Sequence, residues 1–395
     1  MDRISVLNKL RLLTPGPTPL PEEVRLALSM DMIHHRKSEF CSIMGSVQEK
    51  LRILFGTAGP VLPLACTGTG AMTAAVYSLF GPGERVLSIE AGKFGQRWSE
   101  IAKSRGLQIS KLQIPWAEEV KPGDIEAVLL DDSRITGVLI QQCETSTGAM
   151  LPIREIAEIT ARRNVLLVVD GISAVGICPC PMDEWGLDCL LTGSQKGLML
   201  PPGLALIALS ERAWEKAEKI TPGCYYFNLP KERQNLEKGQ TNFTTPVNLV
   251  KGLKASLGLI LGSGLDEIYR KQWALTQLVR AGGTALGLEL LIKSRYAWGL
   301  TSFRVPDGCD AQLLLRHMQQ SFGIVMAGGQ DHLKGRIIRF GHMGWVDWGD
   351  CMAGLAALCS SLAASGQAVN ARFMEPAMEA YGHSVNSYPP SKTDL

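Results

Sequence analysis

Two ionisable side chains, Asp170 and Lys196, each follow an apolar run that is typical of a buried strand. The first run reads LLVVD and ends on Asp170, and the second reads CLL at residues 189–191 and comes shortly before the string SQKG that contains Lys196. Strands of a parallel sheet are covered on both faces, and polar groups collect at their carboxyl ends. If the two runs form such strands, a carboxylate and an amine lie at the same edge of one sheet.

A lysine amine and a carboxylate at one site suit pyridoxal 5'-phosphate (PLP). The cofactor needs an amine to hold its aldehyde as a Schiff base, and a carboxylate to keep its ring nitrogen protonated. Each residue alone has a simpler explanation, because most Asp and Lys side chains are exposed to solvent and a strand-end Asp can cap the following turn. The pair therefore predicts a PLP site only together with the motifs around it.

The composition describes a globular protein with ample apolar material for a core. The chain has 395 residues, of which 46% are hydrophobic and 20% are charged. This length suggests about two to three units, or one large α/β domain with an appendage. The formal net charge of +2 gives no electrostatic reason to expect nucleic acid or an anionic membrane as a partner.

Cysteine usage and the amino terminus predict a cytoplasmic protein. The ten cysteines are scattered through apolar contexts, which is typical of a reducing compartment. Cys178 and Cys180 form a tight pair, but without a second pair or nearby histidines they do not predict a metal site. Residues 1–13 lack the apolar stretch of a secretory signal, and no apolar run approaches the roughly 20 residues that span a bilayer.

Apolar runs alternate with amphipathic segments between residues 61 and 210, which predicts a doubly wound, mainly parallel sheet. The strand VLPLAC leads into the turn TGTGA and a helical run over residues 72–79. A glycine-bearing turn before a helix presents free N–H groups and the positive end of the helix dipole, so the turn weakly indicates a phosphate site. Further strands are predicted at residues 85–89 and 137–141, and a helix over residues 152–163.

The carboxyl-terminal part has a different sequence pattern. A polar, loop-rich segment follows residue 221, and two long helices are predicted over residues 248–262 and 266–286. The last unit contains a predicted helix over residues 311–320 and a strand over residues 336–340, along which alternation places Arg339 on the face opposite to Arg336. Asp347 is expected to cap a final helix that ends before Gly366, and the tail beyond it, which lacks clear periodicity, is expected to be loosely held.

Several motifs together resemble the class V (fold type I) PLP-dependent aminotransferases over about residues 12 to 362. They are TPGPT at 14–18, TGTGA at 67–71, KFGQRW at 93–98, ETSTG at 144–148, the strand that ends at Asp170, GSQKG with PPG at 193–203, and RFGHMG at 339–344. The alanine- and serine-glyoxylate aminotransferases are the most similar in pattern. A subgroup labelled as a soluble hydrogenase subunit has a string very similar to MAGGQDHLKG at residues 326–335.

The resemblance implies an α/β fold of the fold type I PLP transferases, with a mainly parallel sheet, helices on both faces and a smaller carboxyl-terminal α/β domain. It divides the chain into a segment that crosses the active-site mouth (residues 1–20), a large PLP-binding domain (21–287), a small domain (288–366) and a tail (367–395). The family also implies a homodimer whose subunits share their active sites.

The resemblance assigns a role to each residue that matches a family motif around the cofactor ring. Lys196 matches the Schiff-base lysine, and Asp170 matches the partner of the ring nitrogen. Phe94 matches the aromatic residue that stacks on the ring, Ile172 packs beneath the ring, and the Thr145 hydroxyl reaches the ring oxygen.

The cofactor phosphate and the substrate are assigned in the same way. The phosphate contacts implied by the family are Thr69, Gly70, Ala71, Gln195 and, from the neighbouring subunit, Thr244. Ala71 stands where some relatives have histidine, and Thr241 stands where some have tyrosine, so the phosphate side departs from the family pattern. Arg339 matches the arginine that binds the substrate carboxylate, a role that suits a bidentate guanidinium. Gly16 lies in the segment whose backbone approaches that carboxylate.

These assignments predict a PLP-dependent aminotransferase that uses serine or alanine as amino donor and glyoxylate or pyruvate as acceptor. One alternative is a class V lyase such as a cysteine desulfurase, although such relatives usually have histidine where this chain has Gln195 and Phe94. Another is a non-catalytic accessory subunit of a hydrogenase-type complex. A Rossmann dehydrogenase is disfavoured because no G-x-G-x-x-G string follows a first strand.

Overall fold

The computed structural model describes residues 9–387, which fold around a seven-stranded sheet and a separate four-stranded sheet. The strands in chain order are β1 (Arg11–Leu12), β2 (Val61–Leu64), β3 (Arg85–Glu90), β4 (Gln108–Gln113), β5 (Ile135–Gln141), β6 (Cys143–Glu144), β7 (Ala149–Met150), β8 (Leu166–Asp170), β9 (Cys189–Gly193), β10 (Ala205–Leu209), β11 (Glu289–Leu290), β12 (Leu300–Arg304), β13 (Ile324–Val325), β14 (Ala327–Gly328) and β15 (Ile337–Gly341).

Helices connect most of these strands. In chain order they are α1 (Glu22–Leu28), α2 (Ser38–Phe55), α3 (Gly68–Leu79), α4 (Lys93–Ser104), α5 (Pro122–Asp131), α6 (Ile153–Arg162), α7 (Met182–Trp185), α8 (Glu211–Lys219), α9 (Leu229–Leu236), α10 (Val247–Ser263), α11 (Leu265–Ala285), α12 (Ala311–Phe322), α13 (Trp348–Ala364) and α14 (Met374–Ser387). None of the helices within residues 9–387 is long and apolar enough to cross a membrane.

The central sheet has the strand order β2-β10-β9-β8-β5-β3-β4. All neighbouring pairs are parallel except those of β10, which is antiparallel to both β2 and β9. The strands β8, β9 and β10 are buried along their whole length, as continuous apolar runs with helices on both faces require. The predicted fold class, a mainly parallel sheet with helices on both faces, is confirmed.

The smaller sheet has the order β11-β12-β15-β14 and is antiparallel. Its apolar face packs with α11, α12 and α13 into a second hydrophobic core that includes Phe303, Phe340 and Leu355. Asp347 accepts a hydrogen bond from the Asp350 N–H at 2.8 Å, so the predicted cap of α13 is present. The second core also takes Leu275 from α11, which precedes residue 288, so the division at 287/288 stays a prediction.

The expectation of a loosely held tail is wrong for residues 374–387. This part forms α14, which packs on α11 and buries Ala377 and Ser384. Phe373, just before the helix, is also buried in the second core. Residues 388–395 of the predicted tail lie outside the described residues.

Residues 11–18, called here the N-terminal strap, join the two sheets. At one end β1 pairs with β13, and the Gly341 N–H donates to the Leu13 carbonyl at 2.7 Å. At the other end the Thr18 N–H donates to the Gln195 carbonyl at 3.1 Å. The strap thus runs from the small sheet to the loop that contains Lys196.

Gly341 is where the strap approaches the small sheet most tightly, because a Cβ atom there would overlap the Thr14 carbonyl group. We expect Gly341→Ala to displace the strap, to lower the free energy of unfolding by about 1–3 kcal/mol, and to speed proteolytic cleavage near residue 14. Thermal unfolding and limited proteolysis measure the two effects.

Gly262→Ala is the matched control, because a Cβ atom at Gly262 in α10 would meet no other atom within 4 Å. Alanine has the higher helix propensity, so this variant should be as stable as the parent or slightly more so. Equal stability and equal cleavage of the two variants would contradict the proposed role of the close approach at Gly341.

Candidate active site

Lys196 and Asp170 lie at the carboxyl edge of the central sheet. Strands β8 and β9 are parallel neighbours, with Asp170 opposite Leu191, and Lys196 follows the end of β9 by three residues. The partly buried Lys196 Nζ donates a hydrogen bond to the Pro15 carbonyl of the strap. Gly16 follows with a φ of 115°, and a Cβ there would overlap the lysine amine. The strap therefore covers Lys196 so closely that position 16 requires glycine.

The Asp170 carboxyl group is buried, with a side chain of 5% relative exposure in a fully buried strand. The Ile172 N–H donates to its Oδ1 at 2.7 Å, which leaves Oδ2 available for another donor. Burial raises the pKa of Asp170 to about 7, although the positive charges of Arg97 and Lys196 lower it. A cationic N–H bound at Oδ2 would restore the carboxylate form.

Glu144 organises the wall beside these two residues. Its fully buried carboxyl group accepts hydrogen bonds from the Phe94 and Gly95 N–H groups at the start of α4, at 3.2 and 3.1 Å. It also accepts from the Gln141 amide at 2.8 Å and from the Ser146 N–H at 3.1 Å. Burial raises the pKa of Glu144, and these donors act against that shift. The network fixes the first turn of α4 and with it the backbone of Phe94.

Phe94 and Thr69 are linked by an arginine. The Arg97 guanidinium lies 4.8 Å from the centre of the Phe94 ring, and its Nη1 donates to the Thr69 hydroxyl at 3.1 Å. Thr69 belongs to the first turn of α3, and Phe94 belongs to the first turn of α4. The amino-terminal ends of the two helices therefore face the same region.

The first turn of α3 has free hydrogen-bonding capacity. Thr67 precedes the helix without capping it through its side chain, while the Ala71 N–H is engaged by the Thr67 carbonyl at 3.2 Å. A Cβ at Gly70 would overlap the Cys66 side chain, so this turn can only be built with glycine there. Gln195 has a buried Oε1 atom that makes no hydrogen bond to the part of the chain that the structure describes.

Arg339 reaches the site from the small sheet. Its Nε donates to the Gly328 carbonyl at 2.8 Å, and its Nη1 donates to the Thr145 carbonyl at 2.9 Å. Burial lowers the pKa of Arg339, and the charge of Glu144 opposes that shift. Arg336 is exposed on the opposite face, as strand alternation predicts. The guanidinium of Arg339 is thus held in place by two carbonyl groups and keeps further N–H donors for a carboxylate.

Three more of the assigned residues are placed as follows. The Thr145 hydroxyl hydrogen bonds to the Ser173 hydroxyl at 2.9 Å. The Ile172 side chain packs against Gly68 at the start of α3, because a Cβ there would overlap the Ile172 Cδ1. Thr244 is exposed and lines a small cleft with Leu64 and Phe227.

These features fit PLP. An uncapped helix start with a nearby guanidinium suits a phosphate group, and the free Oδ2 of buried Asp170 suits a protonated ring nitrogen. The covered amine of Lys196 suits an aldehyde. When bound, PLP supplies that aldehyde and a ring that takes up the electron pair of a deprotonated α-carbon. The cofactor roles of the individual residues remain predictions from the family motifs.

Two residues of this site were not found by sequence reasoning, namely Glu144 and Arg97. Glu144 lies in the string ETSTG, of which only Thr145 was given a role, and its contacts with α4 join residues about 50 positions apart. Arg97 could have been identified from the sequence, because it lies three residues after Phe94 and therefore on the same face of a helix.

Comparison with known proteins gives the family. Residues 21–340 match the family model described as aminotransferase class-V. The chain is 39% identical over 363 residues to a Synechococcus protein named soluble hydrogenase, small subunit, covering 91% of this chain and 94% of that protein. It is 33% identical to the L-aspartate–glyoxylate aminotransferase of Paracoccus denitrificans, covering 87% of this chain and 88% of the other.

Solved structures agree with this result. The ureidoglycine–glyoxylate aminotransferase of Bacillus subtilis superposes with a TM-score of 0.90 at 27% identity, covering 95% of this chain and 98% of that one. The resemblance, the fold type and the cofactor predicted from the sequence are thereby confirmed. The chain belongs to the class V aminotransferase family and is a PLP-dependent aminotransferase, an enzyme that acts on an amino acid and a 2-oxo acid.

Proposed function

We propose that this aminotransferase moves the amino group of a small amino acid, serine or alanine, to glyoxylate or pyruvate. The observation that supports this most strongly is the convergence of three groups from distant parts of the chain. A covered amine on Lys196 and a buried carboxyl group on Asp170 share one edge of the sheet, and the buried guanidinium of Arg339 is tied to the adjacent Thr145 carbonyl.

Each group has a definite task in transamination. Arg339 binds and orients the α-carboxylate of the amino acid through its remaining N–H donors. Lys196 would hold the cofactor aldehyde, and its Nζ, once the donor amine had taken its place, would accept the proton of the substrate α-carbon as general base and give it back as general acid. Asp170 would keep the ring nitrogen protonated. The strap excludes water from the amine through the contacts of Pro15 and Gly16.

The names of the relatives support the acceptor more strongly than the donor. The proteins from Paracoccus denitrificans and Bacillus subtilis are both named for glyoxylate, and their other substrates, aspartate and ureidoglycine, differ. This pattern supports glyoxylate as the acceptor. Serine or alanine as donor is supported by the motif resemblance and by relatives named serine–glyoxylate aminotransferase, from Methylorubrum extorquens, and alanine–glyoxylate aminotransferase, from Nostoc.

We also propose a homodimer with shared active sites. Thr244 is exposed in a segment that presents Tyr225 and Tyr226 to solvent, at 83% and 43% exposure. Tyr226 stacks on Phe243 with the ring centres 5.0 Å apart. Exposed aromatic side chains in one patch are typical of an interface, and the motif resemblance implies that Thr244 contacts the cofactor phosphate of the neighbouring subunit.

We also propose that the protein is cytoplasmic. All ten cysteines carry free thiols, and burial raises the pKa of several of them, including Cys66 and Cys143, both to about 12. Unreactive buried thiols of this kind suit a reducing compartment.

A second candidate function follows from the relative named soluble hydrogenase, small subunit. An accessory subunit of a hydrogenase-type complex would keep the fold without needing transamination. An accessory subunit would not require the covered amine of Lys196, the buried carboxyl group of Asp170 or the free donors of Arg339. Because the chain has all three, we favour the enzyme.

The donor is tested by adding each amino acid to the PLP form and recording the absorbance of the imine band. Serine and alanine should convert the enzyme to its pyridoxamine form, and glyoxylate should restore the imine band. Arg339→Met should raise the donor concentration for half-maximal conversion by roughly tenfold to a hundredfold, because a charge-assisted hydrogen bond is lost.

Arg336→Met is the control, since this arginine immediately precedes β15 and is exposed to solvent. Its conversion should match that of the parent enzyme. No conversion by any small amino acid, together with co-purification of a metalloenzyme, would reject transamination and favour the accessory subunit.

The pH dependence of Lys196 provides a separate prediction. Burial lowers the pKa of Lys196 to about 8, and the positive charges of Arg339 and Arg97 act in the same direction. The neutral, nucleophilic amine should therefore predominate above pH 8, whereas an ordinary lysine needs a pH above about 10.4. Reductive methylation of the cofactor-free protein by formaldehyde, followed by peptide mapping, should show half-maximal reactivity of Lys196 near pH 8.

Arg339→Met should shift this profile to higher pH, because one of the charges that disfavour the ammonium form is removed. Asp170→Asn should shift it to lower pH, since Asp170 stabilises the ammonium form. A profile of Lys196 that coincides with that of an ordinary lysine would contradict the account.

A further inference from the structure

The start of α3 offers free N–H groups to a phosphate, but its side chains carry no positive charge. Ala71 offers a methyl group instead of a polar side chain, and its N–H is engaged by the Thr67 carbonyl. Thr67 does not cap α3 through its side chain, and the hydroxyl groups of Thr67 and Thr69 and the amide of Gln195 are all neutral. A phosphate ester carries close to two negative charges at neutral pH, so a helix start with only neutral side chains compensates it poorly.

Arg97 is a cation at this place without an acidic partner. It forms no salt bridge with any carboxylate among residues 9–387, and its Nη1 donates to the Thr69 hydroxyl at 3.1 Å. A guanidinium has five N–H donors in a planar fork, of which this contact uses one. Within the described part of the chain the remaining donors make no other hydrogen bond, so they can bind an anion beside Thr69.

The position of Arg97 is fixed from two sides. Its guanidinium lies over the Phe94 ring at 4.8 Å, on the same face of α4. Glu144 holds the first turn of α4 through the Phe94 and Gly95 N–H groups. The charge of Arg97 also acts on both Asp170 and Lys196, which places it within electrostatic reach of the whole site.

We propose that Arg97 binds the phosphate group of PLP and supplies the positively charged side chain of the phosphate cup. The Thr69 hydroxyl, which accepts from Arg97, keeps its own proton for the same phosphate. This assignment rests on the proposed function, because it takes the amine of Lys196 as the place where the aldehyde is held.

Two other roles of Arg97 would give different results when the arginine is removed. If Arg97 only supported the Phe94 ring, its loss would weaken every ligand that stacks on Phe94, with or without a phosphate. If Arg97 bound a second carboxylate of a substrate such as aspartate, its loss would spare the cofactor and impair only dicarboxylic donors.

The test compares PLP with pyridoxal, which has the same ring and aldehyde and lacks the phosphate. Dissociation constants of both are measured by absorbance titration of the cofactor-free protein and of Arg97→Met. We expect the variant to bind PLP at least about tenfold more weakly, the size of a lost charge-assisted hydrogen bond. Pyridoxal should bind both proteins within about twofold. Inorganic phosphate should compete with PLP less effectively in the variant than in the parent.

Lys103→Met is the matched control, because it removes an exposed cation from the last turn of the same helix and should leave both ligands unaffected. Arg97→Lys keeps the charge without the planar fork and should lie between the parent and Arg97→Met.

Equal weakening of PLP and pyridoxal in Arg97→Met would overturn the proposal in favour of a support for Phe94. Unchanged PLP binding with a selective loss of the aspartate half-reaction would overturn it in favour of a substrate contact. Failure of the proposed function would look different, since neither ligand would then form an imine with Lys196 in the parent protein.

Discussion

The amine of Lys196 and the carboxyl group of Asp170 are withdrawn from water at one edge of the central sheet, and the rest of the site is arranged around that constraint. Burial disfavours the charged form of both groups, so the pKa of Asp170 rises to about 7 and that of Lys196 falls to about 8. An isolated buried charge is costly, and neither side chain forms a salt bridge with the other among the described residues. A ligand with an aldehyde and a basic ring nitrogen relieves both costs at once, which is why PLP chemistry suits this pair.

Three separate parts of the chain enclose the pair. The central sheet supplies Asp170 and Lys196, the small sheet supplies Arg339, and the strap supplies the carbonyl group of Pro15. The contacts between the parts are mostly hydrogen bonds to backbone carbonyl groups, such as that from Arg339 to Thr145 and that from Gly341 to Leu13. Such contacts position a guanidinium or an amine without neutralising it, so the charges remain available to substrate and cofactor.

Much of this arrangement could be predicted from the sequence, because it depends on local patterns. The parallel sheet follows from fully apolar runs that alternate with helices, and the inward direction of Arg339 follows from the period of two along β15. Helix α14 was missed for a physical reason, since its buried positions include Ala377 and Ser384, which are too small or polar to form an apolar stripe.

Long-range contacts were the other part that the sequence did not reveal. Glu144 caps a helix whose first turn lies about 50 residues earlier, and Arg97 meets Thr69 across 28 positions. No periodic pattern in the sequence indicates either pair of contacts. Thr244 is a different case, because its side chain is exposed and its predicted role depends on a second subunit.

The central claim is that the Lys196 amine holds the cofactor aldehyde, and borohydride reduction of the purified PLP form tests it most directly. Reduction converts the imine to a stable secondary amine, so the cofactor stays attached through proteolysis and peptide mapping. The account predicts one pyridoxyl group per chain, on the peptide that contains Lys196. A label on another lysine, or no label in a protein that retains its imine band, would contradict it.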